Sequence, residues 1–63
     1  MKLLYRHCKA LGYCDSGIET FMEGRGIPYD EFVRNGISIE IAKSWKDIMV
    51  DRAIEVAERE NNG

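Results

Sequence analysis

Between residues 39 and 60 the chain contains neither glycine nor proline, and apolar positions recur every three or four residues. That spacing predicts an amphipathic helix, and Ser38 stands where a hydroxyl can cap its first free N–H groups. Projected at about 100° per residue, Ile41, Ala42, Trp45, Ile48, Met49, Ala53 and Val56 share one side, a candidate core-facing stripe. Glu40, Asp47, Asp51, Glu55 and Glu58 gather on another side and predict an acidic edge. Val50 and Ile54 lie away from the centre of the stripe. They are expected on apolar surface that either the rest of the chain or a partner covers.

The preceding residues divide into three shorter helical segments. Residues 2–11 carry Leu4, Cys8 and Leu11 at helical spacing, with Gly12 as the stop. Residues 17–23 follow Ser16, which forms a capping-box pattern with Glu19, and Gly24 and Gly26 end that helix. Residues 28–34 open on Pro28, whose missing N–H has no partner to lose in a first turn, and carry Tyr29, Phe32 and Val33 before Asn35-Gly36. The expected fold is therefore all-α: a compact bundle of three short helices packed on one long C-terminal helix, with Trp45, Phe21 and Phe32 central. One domain covers residues 1–60, and residues 61–63 fray.

A chain of 63 residues can bury only a small core, supplying about 3–5 kcal/mol, so a partner surface is a natural source of further stability. The net charge of −2 provides no general field for nucleic acid or an anionic membrane. The first residues meet charge too early for the apolar core of a signal peptide, and no run approaches the roughly 20 apolar residues that span a bilayer. A cytoplasmic protein without a membrane partner is expected, its two cysteines present as thiols.

Candidate chemistry is sparse. His7, Cys8 and Cys14 are the residues that zinc would choose, but a structural site needs four ligands in tight pairs, and His7 and Cys8 point roughly 100° apart on a helix. Cys8 reads as a small core residue, His7 as a partly exposed side chain and Cys14 as packing before a helix start. A cysteine nucleophile at Cys14 would need a fixed base, and nothing in the spacing brings the single histidine to it. No enzyme, metal or cofactor is expected. Asp30 and Glu31 complement the dipole of the helix that they open. The glycine-containing turns admit a helix-turn-helix-like DNA binder as the alternative, contacting nucleic acid through Lys2, Arg6 and Lys9 on a common basic side of the first helix. Against it, the second and third segments present Glu19, Glu23, Asp30 and Glu31 where a groove-reading helix carries basic or amide side chains.

The run Cys14-x-x-Gly17-x-x-x-Phe21-x-x-x-x-Gly26-Ile27-x-Tyr29-x-x-Phe32-x-x-x-Gly36-Ile37 resembles a pattern in small proteins of tailed bacteriophages and prophages. The resemblance covers the middle third to half of the chain and implies a phage or prophage origin, with no activity or residue role attached. It implies a small accessory, assembly or host-interaction protein. The expected function is protein–protein interaction, with another protein or a second copy of this chain, through Glu40, Asp47, Asp51, Glu55, Glu58, Val50 and Ile54.

Overall fold

The computed structural model describes residues 1–62, and its elements run β1 (Lys2–Leu3), α1 (Tyr5–Lys9), α2 (Asp15–Gly24), α3 (Tyr29–Asn35), β2 (Ile37–Ser38), α4 (Ile39–Ser44) and α5 (Ile48–Asn62). The chain is mostly helical, as expected, but it is not all-α. β1 and β2 pair antiparallel, Lys2 opposite Ser38 and Leu3 opposite Ile37. Residues 2–4 therefore leave the expected first helix. Leu3 is fully buried and Ile37 nearly so, and burying that pair outweighs the weak preference of Lys-Leu-Leu for a helix. Only one turn of α1 remains, and Leu11, expected to pack inward, is exposed.

Gly36 makes the strand pairing possible. Its backbone sits at φ 70° and ψ −168°, a region that essentially glycine alone occupies. A Cβ placed there would lie 2.6 Å from the Leu3 carbonyl oxygen and 2.6 Å from Leu4 Cδ2. The two strands meet at a point where no side chain fits.

α2 begins two residues earlier than the capping-box reading, with Cys14 as its extended N-cap residue. Asp15 complements the dipole of that first turn, and its carboxylate accepts a hydrogen bond from the Tyr5 hydroxyl and pairs with Lys9 at 3.0 Å. These ties from α1 fix the start, so Ser16 falls inside the helix. Ile18 and Met22, four residues apart, form its buried face. α3 follows Pro28 and places Phe32 at the centre of the molecule, fully buried. Val33 is exposed, whereas the periodicity had it packing inward.

The largest departure lies in the last segment. Ser38 caps α4 as read, its hydroxyl accepting from the Glu40 N–H at 3.2 Å, but the helix ends at Ser44 and a second begins at Ile48. Three contacts define the break. The Ser44 hydroxyl donates to the Ile41 carbonyl at 2.6 Å. The Trp45 and Lys46 N–H groups reach back only three residues, to Ala42 and Lys43, at 3.3 Å each. Lys46 then adopts φ 52°, a left-handed conformation that costs a residue with a Cβ about 1–2 kcal/mol. Asp47 offsets this, its Oδ1 accepting from Met49 N at 2.9 Å and Val50 N at 3.2 Å, a cap worth about 1 kcal/mol.

The bend changes which residues form the core. Ile39, Ala42, Val50, Ala53, Ile54 and Ala57 are buried, while Ile41, Ile48 and Met49, expected in the core stripe, are exposed and Trp45 and Val56 are half-buried. The true core face is rotated from the expected one, and three of its inner positions, Ala42, Ala53 and Ala57, are small. Phe21 and Trp45 sit at the rim of the core rather than at its centre. α5 continues through Asn61 and Asn62, two residues beyond the expected end; of the stretch read as frayed, Gly63 lies outside the described residues.

Candidate functional site

The α4–α5 bend builds the most distinctive surface of the molecule. Capping by Asp47 starts α5 abruptly, so Ile48 and Met49 occupy its first turn with no helix before them to cover their outer side. Ile48 is 69% exposed and Met49 54%. The Tyr13 hydroxyl donates to the Met49 carbonyl at 3.1 Å and steadies that turn against the loop before α2. Beside Ile48, the side chains of Asp51, Glu55 and Glu58 line a shallow depression together with Lys43 and Arg52. Glu58 pairs with Lys43 at 3.0 Å. Asp51 and Glu55 are exposed and make no ion pair among the described residues.

Of the residues expected to bind a partner, the structure thus brings Asp51, Glu55 and Glu58 together. Glu40 stands apart in the first turn of α4, and Asp47 is half-buried and occupied as a helix cap. Val50 and Ile54, expected on apolar surface away from the core stripe, are instead buried, at 7% and 3% exposure, and Ile54 reaches only the floor of the depression. The exposed large apolar side chains of the first turn of α5 are Ile48 and Met49. The signal for this was present in Asp47, which precedes Met49 and Val50 at the spacing of an N-cap, but a run free of glycine and proline hid it.

The basic trio does not form one helix side. Lys2 lies in β1, with Nζ donating to the Asn35 carbonyl at 3.1 Å. Arg6 is paired with Glu60 of α5, and Lys9 is paired with Asp15 and donates to the Tyr13 carbonyl at 2.9 Å. All three cations fasten the first residues to the rest of the chain.

His7 is buried rather than partly exposed. Its Nδ1 accepts the Leu4 N–H at 2.9 Å, which places the ring proton of the neutral imidazole on Nε2, 3.4 Å from Glu60 Oε1. Both ring nitrogens are committed, and the imidazole is no base for a thiol. Cys8 is buried as expected, and burial pushes its thiol up to about 11. Cys14 is exposed, and the hydrogen bond with Ser16, 3.7 Å from its sulfur, holds its thiol below the usual range. No cluster of three His, Cys, Asp or Glu side chains that could hold a metal occurs among the described residues, and no helix there is long and apolar enough to cross a membrane.

An apolar groove of about 430 Å³ opens between the loop before α2, α2 and the start of α5, lined by Tyr13, Ile18, Phe21, Met22 and Met49 among others. At one end Phe21 and Trp45 meet edge to face, ring centroids 5.7 Å apart. The Arg25 guanidinium lies 4.8 Å from the Phe21 centroid and 5.3 Å from that of Trp45. This cation–π contact ties α2 to the bend, and no periodicity points to it. Comparison with protein-family models, with curated proteins and with solved structures gives no match to this chain.

Proposed function

We propose that the chain is a small, non-enzymatic protein–protein interaction module of the accessory, assembly or host-interaction kind that its phage-like pattern implies, acting in the cytoplasm. Its docking face is the outer side of α5, where Ile48 supplies an apolar centre and Asp51, Glu55 and Glu58 an acidic rim, while Met49 on the next flank borders the apolar groove. The observation that carries this reading is the exposed Ile48 beside Asp51 and Glu55, two carboxylates that make no ion pair among the described residues. An apolar centre within a polar rim is the usual anatomy of a docking surface. The partner best matched to it presents an apolar anchor flanked by Lys or Arg. DNA binding finds less support, since Lys2, Arg6 and Lys9 each have a partner within the chain.

Affinity capture from host lysate, with nuclease, tests the reading. The wild-type chain should retain a specific protein that Ile48→Ser and the double reversal Asp51→Lys/Glu55→Lys both release. Retention only while nucleic acid is intact, or retention unchanged by both variants, would overturn it.

A further inference from the structure

The break between α4 and α5 occurs in a segment whose sequence contains no helix breaker, and the reason is one of length. A straight helix over residues 39–62 would be about 36 Å long, whereas the whole molecule extends 30 × 22 × 22 Å. One body this small cannot cover both ends of such a helix. Folding α4 back at Trp45–Lys46–Asp47 solves the problem within one copy, at the expense of a left-handed Lys46.

The segment nevertheless keeps the pattern of a continuous helix. Projected at about 100° per residue, the buried Ile39, Ala42, Val50, Ala53, Ile54 and Ala57 fall within one arc of roughly 120°, although they belong to two separate helices. Ile41 and Ile48, both exposed, fall within about 20° of each other on the opposite side, with Trp45 close by. In a straight helix Lys43 and Lys46 would fall inside the first arc, at the hinge end where their long stems can reach solvent, and Ile41, Trp45 and Ile48, exposed or half-buried in the bent form, would share one line that Arg52 and Arg59 continue.

We propose that this chain pairs with a second copy of itself by straightening residues 45–47 and exchanging α5. Each α5 then packs on α1, β1 and α4 of the other copy in place of its own. The ties that hold α5, Arg6 to Glu60, Lys43 to Glu58 and the Tyr13 hydroxyl to the Met49 carbonyl, are all regained between copies. The two straight helices cross antiparallel at the dyad, where Ile41, Trp45 and Ile48 of one meet the same residues of the other. Lys46 leaves its left-handed conformation, and the N–H groups now capped by Asp47 find carbonyls one turn back. Exchange of an identical element through a short strained hinge is a low-cost route to a dimer. The exchange does not rest on the docking reading, but Ile48 serves both surfaces, so a partner seated on Ile48 and the exchanged dimer exclude each other.

Sedimentation equilibrium of the full chain from micromolar to millimolar concentration tests the exchange. The wild type should show a monomer–dimer equilibrium. Lys46→Gly, which favours the left-handed bend and disfavours the straight helix at two hinges per dimer, should weaken it on the order of 100-fold. Asp47→Ala, which removes the cap that only the bent form uses, should strengthen it about tenfold or more. Mixing then separates exchange from ordinary side-by-side pairing. Arg6→Glu and Glu60→Arg each repel within one copy, but in an exchanged heterodimer both contacts are complementary, so refolding the two variants together should give heterodimer in excess of the statistical half. Lys43→Glu with Glu58→Lys repeats the test at a second contact. A monomer at millimolar concentration for both the wild type and Asp47→Ala, a dimer indifferent to Lys46→Gly, or statistical mixing would each overturn the proposal.

Discussion

Replacing Gly36 by alanine tests the role assigned to the point where β1 meets β2. The backbone there, φ 70° and ψ −168°, is one that a residue with a Cβ adopts at about 1–3 kcal/mol. The new methyl would also lie 2.6 Å from the Leu3 carbonyl oxygen, a backbone atom held by the strand pairing, as well as 2.6 Å from Leu4 Cδ2. Leu4 can turn aside, but the carbonyl can move only by opening the pairing that buries Leu3 and Ile37. Together the two effects should remove about 3 kcal/mol or more, against the 3–5 kcal/mol that a domain of this size commands. The expected result is a fall in Tm of about 12–25 °C, or a chain already unfolded at room temperature. Gly24→Ala is the control: Gly24 ends α2 with no heavy atom within 4 Å of its virtual Cβ, so alanine should leave stability unchanged or raise it by about 0.5 kcal/mol. Urea denaturation followed by far-ultraviolet circular dichroism and by Trp45 fluorescence measures both. A loss of less than about 0.5 kcal/mol for Gly36→Ala would refute the account of the strand contact.

Thiol titration at pH 8 should show one fast and one slow cysteine, Cys14 reacting at least about 100-fold faster than Cys8, and the difference should vanish in denaturant. Equal rates in the folded chain would contradict the burial of Cys8. Asp15 is held below the usual carboxylate range first by the Tyr5 hydroxyl and then by Lys9, and Glu60 first by Arg6. Because these folded-state values are depressed, the stability that they supply is complete above about pH 4, the range of unfolded carboxylates, and is lost as pH falls below it. Asp15→Asn should flatten that acid limb, and an unaltered pH profile would count against the Tyr5–Asp15–Lys9 cluster. Phe32→Ala should cost about 3–5 kcal/mol and unfold the chain, whereas Ile48→Ser should change stability by less than about 0.5 kcal/mol; the reverse order would place the core elsewhere.

What could be read from the chain beforehand was mostly local. The stop at Gly36, the cap at Ser38 and the central position of Phe32 follow from chemistry within a few residues, and each has its counterpart in the structure; α3 opens one residue after Pro28, and α1 already ends at Lys9, before Gly12. The strand pairing could not be read this way, because Lys2-Leu3 has no extended character of its own until Ile37-Ser38 arrives from far along the chain. The bend at Lys46 was hidden for a related reason. Glycine and proline are absent there, so the break rests on the Asp47 cap and on the size of the body to be covered, neither of which hydrophobic periodicity shows. That error carried over to the candidate site: with a straight helix assumed, Val50 and Ile54 looked peripheral and Ile48 and Met49 central, the inverse of their burial. The carboxylates fared better, since Asp51, Glu55 and Glu58 lie within the unbroken part of α5.

The two-residue strands also set the order in which the molecule can assemble. Joining Leu3 to Ile37 closes a loop of about 34 residues, and the chain entropy lost in doing so is about 3 kcal/mol. Two residue pairs contribute hydrogen bonds worth about 1 kcal/mol each, less than that loss. β1 and β2 therefore cannot meet first and draw the helices in; α1, α2 and α3 must already have condensed around Phe32 and shortened the loop. The sheet acts as a clasp on helices that have already condensed, and because closing it also buries Leu3 and Ile37 in the core, its few amides should exchange only when that core opens.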